Sequence, residues 1–193
     1  MFPELIGESS NARPGIVAVS RRQTLDSFLS DRGGDAGNRR RFACAIISNP
    51  EPTRMKAIEM LGRIGTVDVM GDVTGIRVKD KFEILANYRF ALCFENDLYP
   101  GYVTEKVFDA WAAGAIPLWW GIDREQSLNK SSILNLAEHQ NMDSFLAQVS
   151  NLNNQPEVLN KVSSRALLKV RPNLDAVRAT LSRALLTQIG TQG

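Results

Sequence analysis

Three short apolar runs, each followed by a polar or helical segment, constrain the fold of this 193-residue chain most strongly. The runs are FACAIIS (42–48), FALCFEN (90–96) and AIPLWW (115–120). Runs of about 4–8 residues suit strands better than helices, and strands that are apolar on both sides occur in parallel sheets covered by helices. The pattern therefore predicts an α/β fold, with a Rossmann-like parallel sheet and helices on both faces.

The remaining elements are predicted from hydrophobic spacing and turn residues. Strands are expected at 15–20, 66–70 and 132–136, and helices around 24–30 and at 54–62, 80–88 and 104–113, the last closed by Gly114. Residues 31–41 are interpreted as a loop. Two further amphipathic helices are predicted from apolar stripes, one on Met142, Phe145, Leu146 and Val149 and one on Leu174, Val177, Leu181, Ala184 and Leu185.

Composition excludes several classes of partner and site. The net charge of +2 provides no strong field for nucleic acid. No stretch reaches the roughly 18 apolar residues of a membrane span, and the first residues do not resemble a signal peptide, so a cytoplasmic location is expected, with peripheral association at a membrane as the alternative. A single histidine, His139, and the absence of a CxxC pair argue against a metal site, so no metal and no cofactor are expected.

Cys44 and Cys93 are interpreted as buried free thiols, although a disulfide is left open.

Two strand-to-helix junctions carry cations where a helix is expected to begin. Arg54 and Lys56 follow the first apolar run, and Lys106 follows the second, next to Thr104 and Glu105. A cation in the first turn of a helix is unfavourable by some tenths of a kcal/mol unless an anion lies there as well. Because the carboxyl ends of parallel strands share one edge, the two junctions predict a clamp for a diphosphate. Solvated surface charges are the alternative.

Glu105 and the tyrosines of the DLYPGY loop add a second prediction at this edge. The helix dipole alone favours Glu105 in a first turn, but an acidic side chain beside a phosphate site can also accept the hydroxyls of a ribose. Tyr99 and Tyr102 could stack on a base or sugar, with packing against the core as the alternative. The three tryptophans, Trp111, Trp119 and Trp120, are interpreted as packing residues, and His139 is given no role.

Residues 81–121 resemble the signature block of the α1,3/4-fucosyltransferases, the family 10 glycosyltransferases. The block is KFEILANYRFALCFENDLYPGYVTEKVFDAWAAGAIPLWWG, and the matching positions are Tyr88, Phe90, Phe94-Glu95-Asn96, Tyr102-Val103-Thr104-Glu105-Lys106, Pro117 and Gly121. Upstream, the segment 48–71 is similar to a second family stretch and places Arg54 on the family's arginine.

This resemblance implies a GT-B fold of two facing Rossmann-like domains, of which the present block is the C-terminal, donor-binding one. It further implies that GDP-fucose is the donor substrate and that a glycan is the acceptor. Arg54 and Lys106 would neutralise the diphosphate, Glu105 would hold the ribose, and Asn96 and Tyr102 would complete the donor pocket.

The implied reaction inverts the anomeric carbon of fucose and uses a carboxylate base from an N-terminal acceptor domain. Only about 40 residues precede the matching region, and their glutamates, Glu4 and Glu8, lie in no matching context, so no catalytic residue is identified. We therefore divide the chain into a remnant of the acceptor domain (1–40), a donor-binding domain (41–150) and a helical segment (151–193). Either the chain is a fragment or truncated product, or a partner chain supplies the acceptor domain. A nucleotide-sugar-binding module without turnover and a transferase with another donor sugar remain as alternatives.

Overall fold

A computed structural model describes residues 23–173 together with 175, 178, 179, 182 and 183. Several predictions fall outside these residues: the strand at 15–20, the context of Glu4 and Glu8, and the apolar stripe on Leu174, Val177, Leu181, Ala184 and Leu185.

A five-stranded, wholly parallel sheet forms the centre of the described chain. Its strands are β1 (Arg41–Ile46), β2 (Val67–Met70), β3 (Tyr88–Phe94), β4 (Ile116–Trp120) and β5 (Leu134–Asn135). Their order across the sheet is β2-β1-β3-β4-β5. Each strand predicted within the described residues is present, which confirms the parallel α/β fold.

Six α-helices lie within residues 23–173. They are α1 (Leu25–Phe28), α2 (Pro52–Leu61), α3 (Lys81–Leu85), α4 (Glu105–Ala112), α5 (Met142–Asn153) and α6 (Pro156–Ser164). The helix predicted at 80–88 is shorter than expected because Tyr88 already belongs to β3. The segment predicted as a loop at 31–41 contains a short 3₁₀ helix, Ala36–Asn38, and its last residue, Arg41, begins β1.

Both faces of the sheet are covered by helices, as predicted. Side chains of α1, α3 and α4 share one buried cluster with Cys44, Cys93 and Trp119 of the strands. Side chains of α2, α5 and α6 share the other with alternate strand residues such as Phe90 and Leu118. This alternation follows from the two-residue period of a strand. Both cysteines are buried free thiols, which confirms that interpretation.

The strand order fixes where a ligand is expected. The chain runs from β1 outward to β2 and then returns past β1 to β3, after which it continues outward to β4 and β5. The connections that leave β1 and β3 therefore diverge to opposite sides, and the crevice between their carboxyl ends is the topological switch point at which open α/β sheets bind ligands.

The segment 23–40 packs against α6 and the residues that follow it. Gly37 donates its backbone N–H to Asn160 Oδ1 at 2.8 Å. The backbone N–H of Leu168 donates to the carbonyl of Phe28 at 2.9 Å. The division at residues 40 and 150 remains a prediction.

Candidate functional site

The start of α2 is closed by an anion from the chain itself. The Glu51 carboxylate accepts hydrogen bonds from the backbone N–H groups of Thr53 and Arg54, each at 2.8 Å. Burial acts to raise the pKa of Glu51, but these hydrogen bonds and the charge of Arg54 outweigh it and lower that pKa below its ordinary value. Glu51 therefore caps the start of α2 from within the chain. The binding of an external anion at this junction stays a prediction.

Arg54 is buried, with only 2% of its surface exposed. Its guanidinium donates to the Asn49 carbonyl, to the Phe94 carbonyl at 2.8 Å and to Asn96 Oδ1 at 2.8 Å. Desolvation lowers the pKa of Arg54, and the neighbouring Glu51, Glu95 and Tyr102 act against that shift. The alternative of a solvated surface charge is wrong, since this side chain ties the residues after β1 to the end of β3.

Glu95 lies directly after β3, and none of its surface is exposed. Its carboxylate accepts four hydrogen bonds: from the backbone N–H of Thr104 (2.9 Å), the hydroxyl of Thr104 (2.7 Å), Lys106 Nζ (2.9 Å) and Trp119 Nε1 (3.3 Å). A buried carboxylate needs this many donors to offset its loss of hydration. In the sequence, Glu95 stands in the Phe94-Glu95-Asn96 motif, and no role was predicted for it. One sequence feature could have predicted a buried Glu95: this carboxylate directly follows an apolar strand, with no turn residue between them.

The start of α4 differs from that of α2 because no side chain caps it. Thr104 occupies the position at which a hydroxyl ordinarily accepts a hydrogen bond from the first turn. Here that hydroxyl donates to Glu95 instead. The first N–H groups of α4 are thus left without a side-chain acceptor, and they carry the positive end of the helix dipole.

Lys106 lies in this open first turn. Its Nζ contacts Glu95 Oε2 at 2.9 Å and Thr104 Oγ1 at 3.1 Å, and its side chain is 23% exposed. An ammonium group has three N–H donors, of which these two contacts occupy two. Lys106 therefore retains a donor and a partly exposed positive charge beside the open helix start.

Glu105 lies on the outer side of the same turn and is paired with α3. Lys81 Nζ is 3.5 Å from Glu105 Oε1 and 3.1 Å from Asp109 Oδ2. Burial acts to lower the pKa of Lys81, but these two carboxylates outweigh it and raise that pKa, so the Lys81 ammonium is protonated at neutral pH. The Glu105 side chain is 54% exposed, which leaves its carboxylate accessible at the mouth of the site.

The loop between β3 and α4 carries both tyrosines of the prediction. Tyr99 is 68% and Tyr102 is 37% exposed, so packing in the core is the wrong alternative for both. Gly101 has a φ of +84°, which favours glycine, and its N–H donates to the Ile122 carbonyl at 2.8 Å. Of the tryptophans, Trp111 and Trp119 are buried as predicted, but Trp119 also donates to Glu95.

The five predicted site residues, Arg54, Asn96, Tyr102, Glu105 and Lys106, all follow the carboxyl ends of β1 or β3. Arg54 and Lys106 bind adjacent parts of one turn, because Arg54 holds Phe94 and Asn96 while Lys106 holds the intervening Glu95. The structure thus places Arg54 and Lys106 beside one turn, whereas Lys56, the third predicted cation, is exposed on α2. Their roles toward a ligand remain predictions.

Within the described ranges, no group of three or more histidine, cysteine, aspartate or glutamate side chains is placed to hold a metal ion. Over the same residues, no helix has the length and apolar character needed to cross a membrane.

Residues 36–171 match the family model described as glycosyltransferase family 10 (fucosyltransferase), C-terminal part. This chain belongs to glycosyltransferase family 10. Among its relatives, the α-(1,3)-fucosyltransferase FucT of Helicobacter pylori is 37% identical over 119 residues, which cover 59% of this chain and 25% of that protein. The bovine 4-galactosyl-N-acetylglucosaminide 3-α-L-fucosyltransferase 9 is 33% identical over 96 residues, 48% of this chain and 27% of that protein.

Solved structures of family members agree with the fold. An α1,3-fucosyltransferase crystallised with GDP-fucose superposes with a TM-score of 0.68 at 29% identity, covering 78% of this chain and 48% of that one. A second α1,3-fucosyltransferase structure gives 0.65 at 32% identity, covering 69% and 39%. The family 10 resemblance and the Rossmann-like half of a GT-B fold are thereby confirmed. This chain spans between a quarter and about half of the length of these matched proteins.

Proposed function

We propose that this family 10 chain binds GDP-fucose and forms the donor-binding part of an inverting α1,3-fucosyltransferase. The observation that carries the proposal is the open start of α4, where uncapped N–H groups and the Lys106 ammonium lie at the switch point of the sheet. Support also comes from the similarity to an α1,3-fucosyltransferase that was crystallised with GDP-fucose.

The diphosphate lies on the start of α4 in this proposal. Its oxygens accept hydrogen bonds from the free N–H groups of the first turn and from the remaining donor of Lys106. When the bond to fucose breaks, negative charge grows on the departing GDP, and fixed donors stabilise it without reorganisation. No metal is required for this step, because the protein itself supplies the positive charge.

Arg54 supports this site from beneath. Because its guanidinium is buried and bound to carbonyl groups, it acts on the phosphates mainly through its charge and by fixing Asn96 at the site. Tyr102 is exposed beside the same turn and offers its hydroxyl or ring to the donor.

Glu105 accepts the ribose hydroxyls in this arrangement. Its carboxylate is accessible, lies in the same turn as Lys106, and is oriented by Lys81 from α3. A carboxylate with both oxygens available can receive two adjacent hydroxyl donors, which is how dinucleotide-binding folds hold a ribose. The nucleoside then extends from the start of α4 toward α3.

Transfer also requires a glycan acceptor and a base that removes the proton of its hydroxyl. Glu95 is unsuited to that task because it is buried and already accepts four hydrogen bonds. We assign the base to the acceptor-binding part of the enzyme, whether it belongs to the same polypeptide or to a partner chain.

Calorimetric titration with GDP tests the proposal. GDP should bind the wild-type protein, and Lys106→Gln should weaken binding by about 10- to 100-fold, the range expected for a lost charge-assisted hydrogen bond. Lys161→Gln is the matched control, because Lys161 is an exposed lysine in α6. The proposal fails if GDP does not bind the wild-type chain at millimolar concentration, or if both variants bind it equally well.

A second candidate is a nucleotide-sugar-binding module without turnover. It is favoured by the saturation of Glu95 by four donors and by the engagement of Glu105 with Lys81. Release of GDP from GDP-fucose in the presence of a lactosamine-type acceptor would exclude this candidate, whereas binding without release would support it. Competition with GDP-mannose and UDP-sugars distinguishes fucose from another donor sugar.

A further inference from the structure

The far end of α4, opposite the proposed diphosphate site, is bound by two arginines that precede β1. Arg32 donates hydrogen bonds to the carbonyl of Trp111 and, at 3.2 Å, to that of Ala112. Arg39 donates to the carbonyl of Ala113 at 3.0 Å. These carbonyls belong to the last turn and the C-cap of α4, where backbone acceptors lack partners within the helix. Cations from the segment before β1 therefore cap the helix whose start is proposed to bind GDP.

Packing fixes both guanidinium groups at this place. The Cζ atom of Arg32 lies 3.8 Å from the centroid of the Trp111 ring. Arg39 is paired with Asp35 at 2.7 Å. Gly114, which follows the C-cap of α4, has a φ of +83°, and a Cβ at this position would overlap the Arg39 guanidinium. The glycine that ends the helix therefore leaves the space that Arg39 occupies.

The two cations are held at a cost, because water reaches them poorly and they repel each other. The Arg39 side chain is 8% exposed, and among the described residues its buried Nε has no hydrogen-bond partner. Burial, followed by the charge of Arg39, lowers the pKa of Arg32 to about 10, so this guanidinium is still protonated at neutral pH. Over the part of the chain that the structure describes, Asp35 is the one carboxylate paired with either arginine, and it is 63% exposed. Neutral donors would cap the carbonyls without this repulsion, so capping alone does not account for two charges.

The charges act along the axis of α4. This helix has no basic residue in its own last turn, and its eight residues span about 12 Å. A helix carries about half a positive charge at its start and about half a negative charge at its end, so the negative end weakens the attraction of the start for an anion. Two guanidinium groups at that end outweigh it. Their field crosses the protein interior, where salt and water screen it less than at the surface.

We propose that Arg32 and Arg39 are positioning residues of the donor site, whose charges at the end of α4 strengthen the binding of a diphosphate at its start. This inference rests on the proposed function, because the diphosphate must lie at the start of α4. Neither arginine contacts the ligand, and both act through the helix. The segment 31–41, which was predicted to be a loop, thereby contributes to donor binding.

Two substitutions at each arginine separate the effect of charge from that of shape. Arg32→Gln and Arg39→Gln keep an amide donor but remove the charge, whereas Arg32→Lys and Arg39→Lys keep the charge but lose the planar guanidinium. Calorimetric titration of the full chain should show GDP binding about three- to tenfold weaker in each glutamine variant and within about twofold of wild type in each lysine variant. Chemical denaturation should show lower stability in all four variants, because each changes the contacts with the α4 carbonyls.

GMP and a neighbouring arginine provide the controls. GMP carries less negative charge than GDP, so the glutamine variants should lose less affinity for GMP than for GDP. Arg40→Gln removes the same charge from an exposed neighbour of Arg39, where solvent screens it, and should leave GDP affinity within about twofold of wild type. A purely structural role of Arg32 and Arg39 would instead weaken GMP and GDP binding equally.

The outcomes separate this inference from the proposed function. If GDP does not bind the wild-type chain, the proposed function fails. If GDP binds and the glutamine variants keep wild-type affinity, the arginines do not act on the donor site. Equal weakening in the lysine and glutamine variants, or of GMP and GDP binding, also overturns the inference, because shape rather than charge then matters. Should Arg39→Gln not fold, Arg32→Gln and Arg32→Lys still decide, since Arg32 is only half-buried.

Discussion

Lys106 Nζ lies 2.9 Å from Glu95 Oε2, in an ion pair whose carboxylate is fully buried and whose ammonium is 23% exposed. Glu95 is therefore the buried partner of the pair, and Lys106 is the partner that solvent and ligands can reach. Glu95 fixes the position of the ammonium from below, and the exposed part of Lys106 remains available to an anion. The same carboxylate engages the hydroxyl of Thr104, which leaves the start of α4 uncapped. One buried residue thus prepares both the cation and the helix dipole for a ligand.

Glu95→Gln should lower stability and GDP affinity together. The amide side chain accepts hydrogen bonds at only one of its two terminal atoms, so one or more of the four donors loses its partner, at a cost of about 1–3 kcal/mol. Chemical denaturation should show that decrease, and calorimetry should show weaker GDP binding because Lys106 is no longer fixed. A variant with wild-type stability and wild-type affinity would contradict the role given to Glu95.

Arg54→Met should destabilise the protein even without any ligand. The substitution leaves the buried carbonyl of Phe94 without its donor inside the protein, at about 1–3 kcal/mol, and also removes the part-buried hydrogen bond to the Asn49 carbonyl. Arg54→Lys should recover only part of that loss, because an ammonium cannot reproduce the planar guanidinium contacts. Denaturant titrations without ligand should rank the free energy of unfolding as wild type, then Arg54→Lys, then Arg54→Met. Equal values for the three proteins would show that the contacts of Arg54 do not stabilise the fold.

The Glu51 cap of α2 predicts a dependence of stability on pH. The pKa of Glu51 is lowered in the folded protein from an ordinary value of 4.5, so the unfolded chain binds the proton more readily. The stabilisation is therefore fully present above the ordinary pKa and is lost as the pH falls through the lowered folded value. Melting temperatures should accordingly decrease less steeply on acidification in Glu51→Gln than in the wild type. If the melting temperature depends on pH identically in the two proteins, the Glu51 cap does not contribute to stability.

Both thiols should be unreactive in the native protein. Burial raises the pKa of Cys44 to about 12 and that of Cys93 well above its ordinary value, so neither forms a thiolate near neutral pH. A thiol reagent at pH 8 should modify neither residue in the folded chain and both in denaturant. Rapid labelling of the native protein would contradict the burial of these strands.

Removal of metal ions should leave GDP binding unchanged. In our proposal the positive charge at the diphosphate comes from Lys106, Arg54 and the start of α4. Titrations with GDP in EDTA and in millimolar Mg²⁺ should therefore give the same affinity within about twofold. A dependence on added Mg²⁺ that is lost in EDTA would show that a metal ion, rather than the protein, neutralises the diphosphate.

The sequence indicated the sheet and the site edge because both depend on local patterns. The apolar runs that became β1, β3 and β4 are contiguous, and Arg54 and Lys106 directly follow two of them. The cap at α2 was missed because glutamate is not among the preferred capping residues, and only coordinates show Glu51 turned back onto the helix. The role of Glu95 was missed because one of its partners, Trp119, comes from a different strand.

An NMR titration of the ¹⁵N-labelled chain with GDP tests the central claim most directly, because it resolves the two helix starts. The open start of α4 should bind the diphosphate, so the amides of Glu105, Lys106 and Val107 should show the largest shifts. The amides of Thr53 and Arg54, which are bound to Glu51, should move little. Larger shifts at Thr53 and Arg54 than at the start of α4, or no shifts at either helix, would contradict the account.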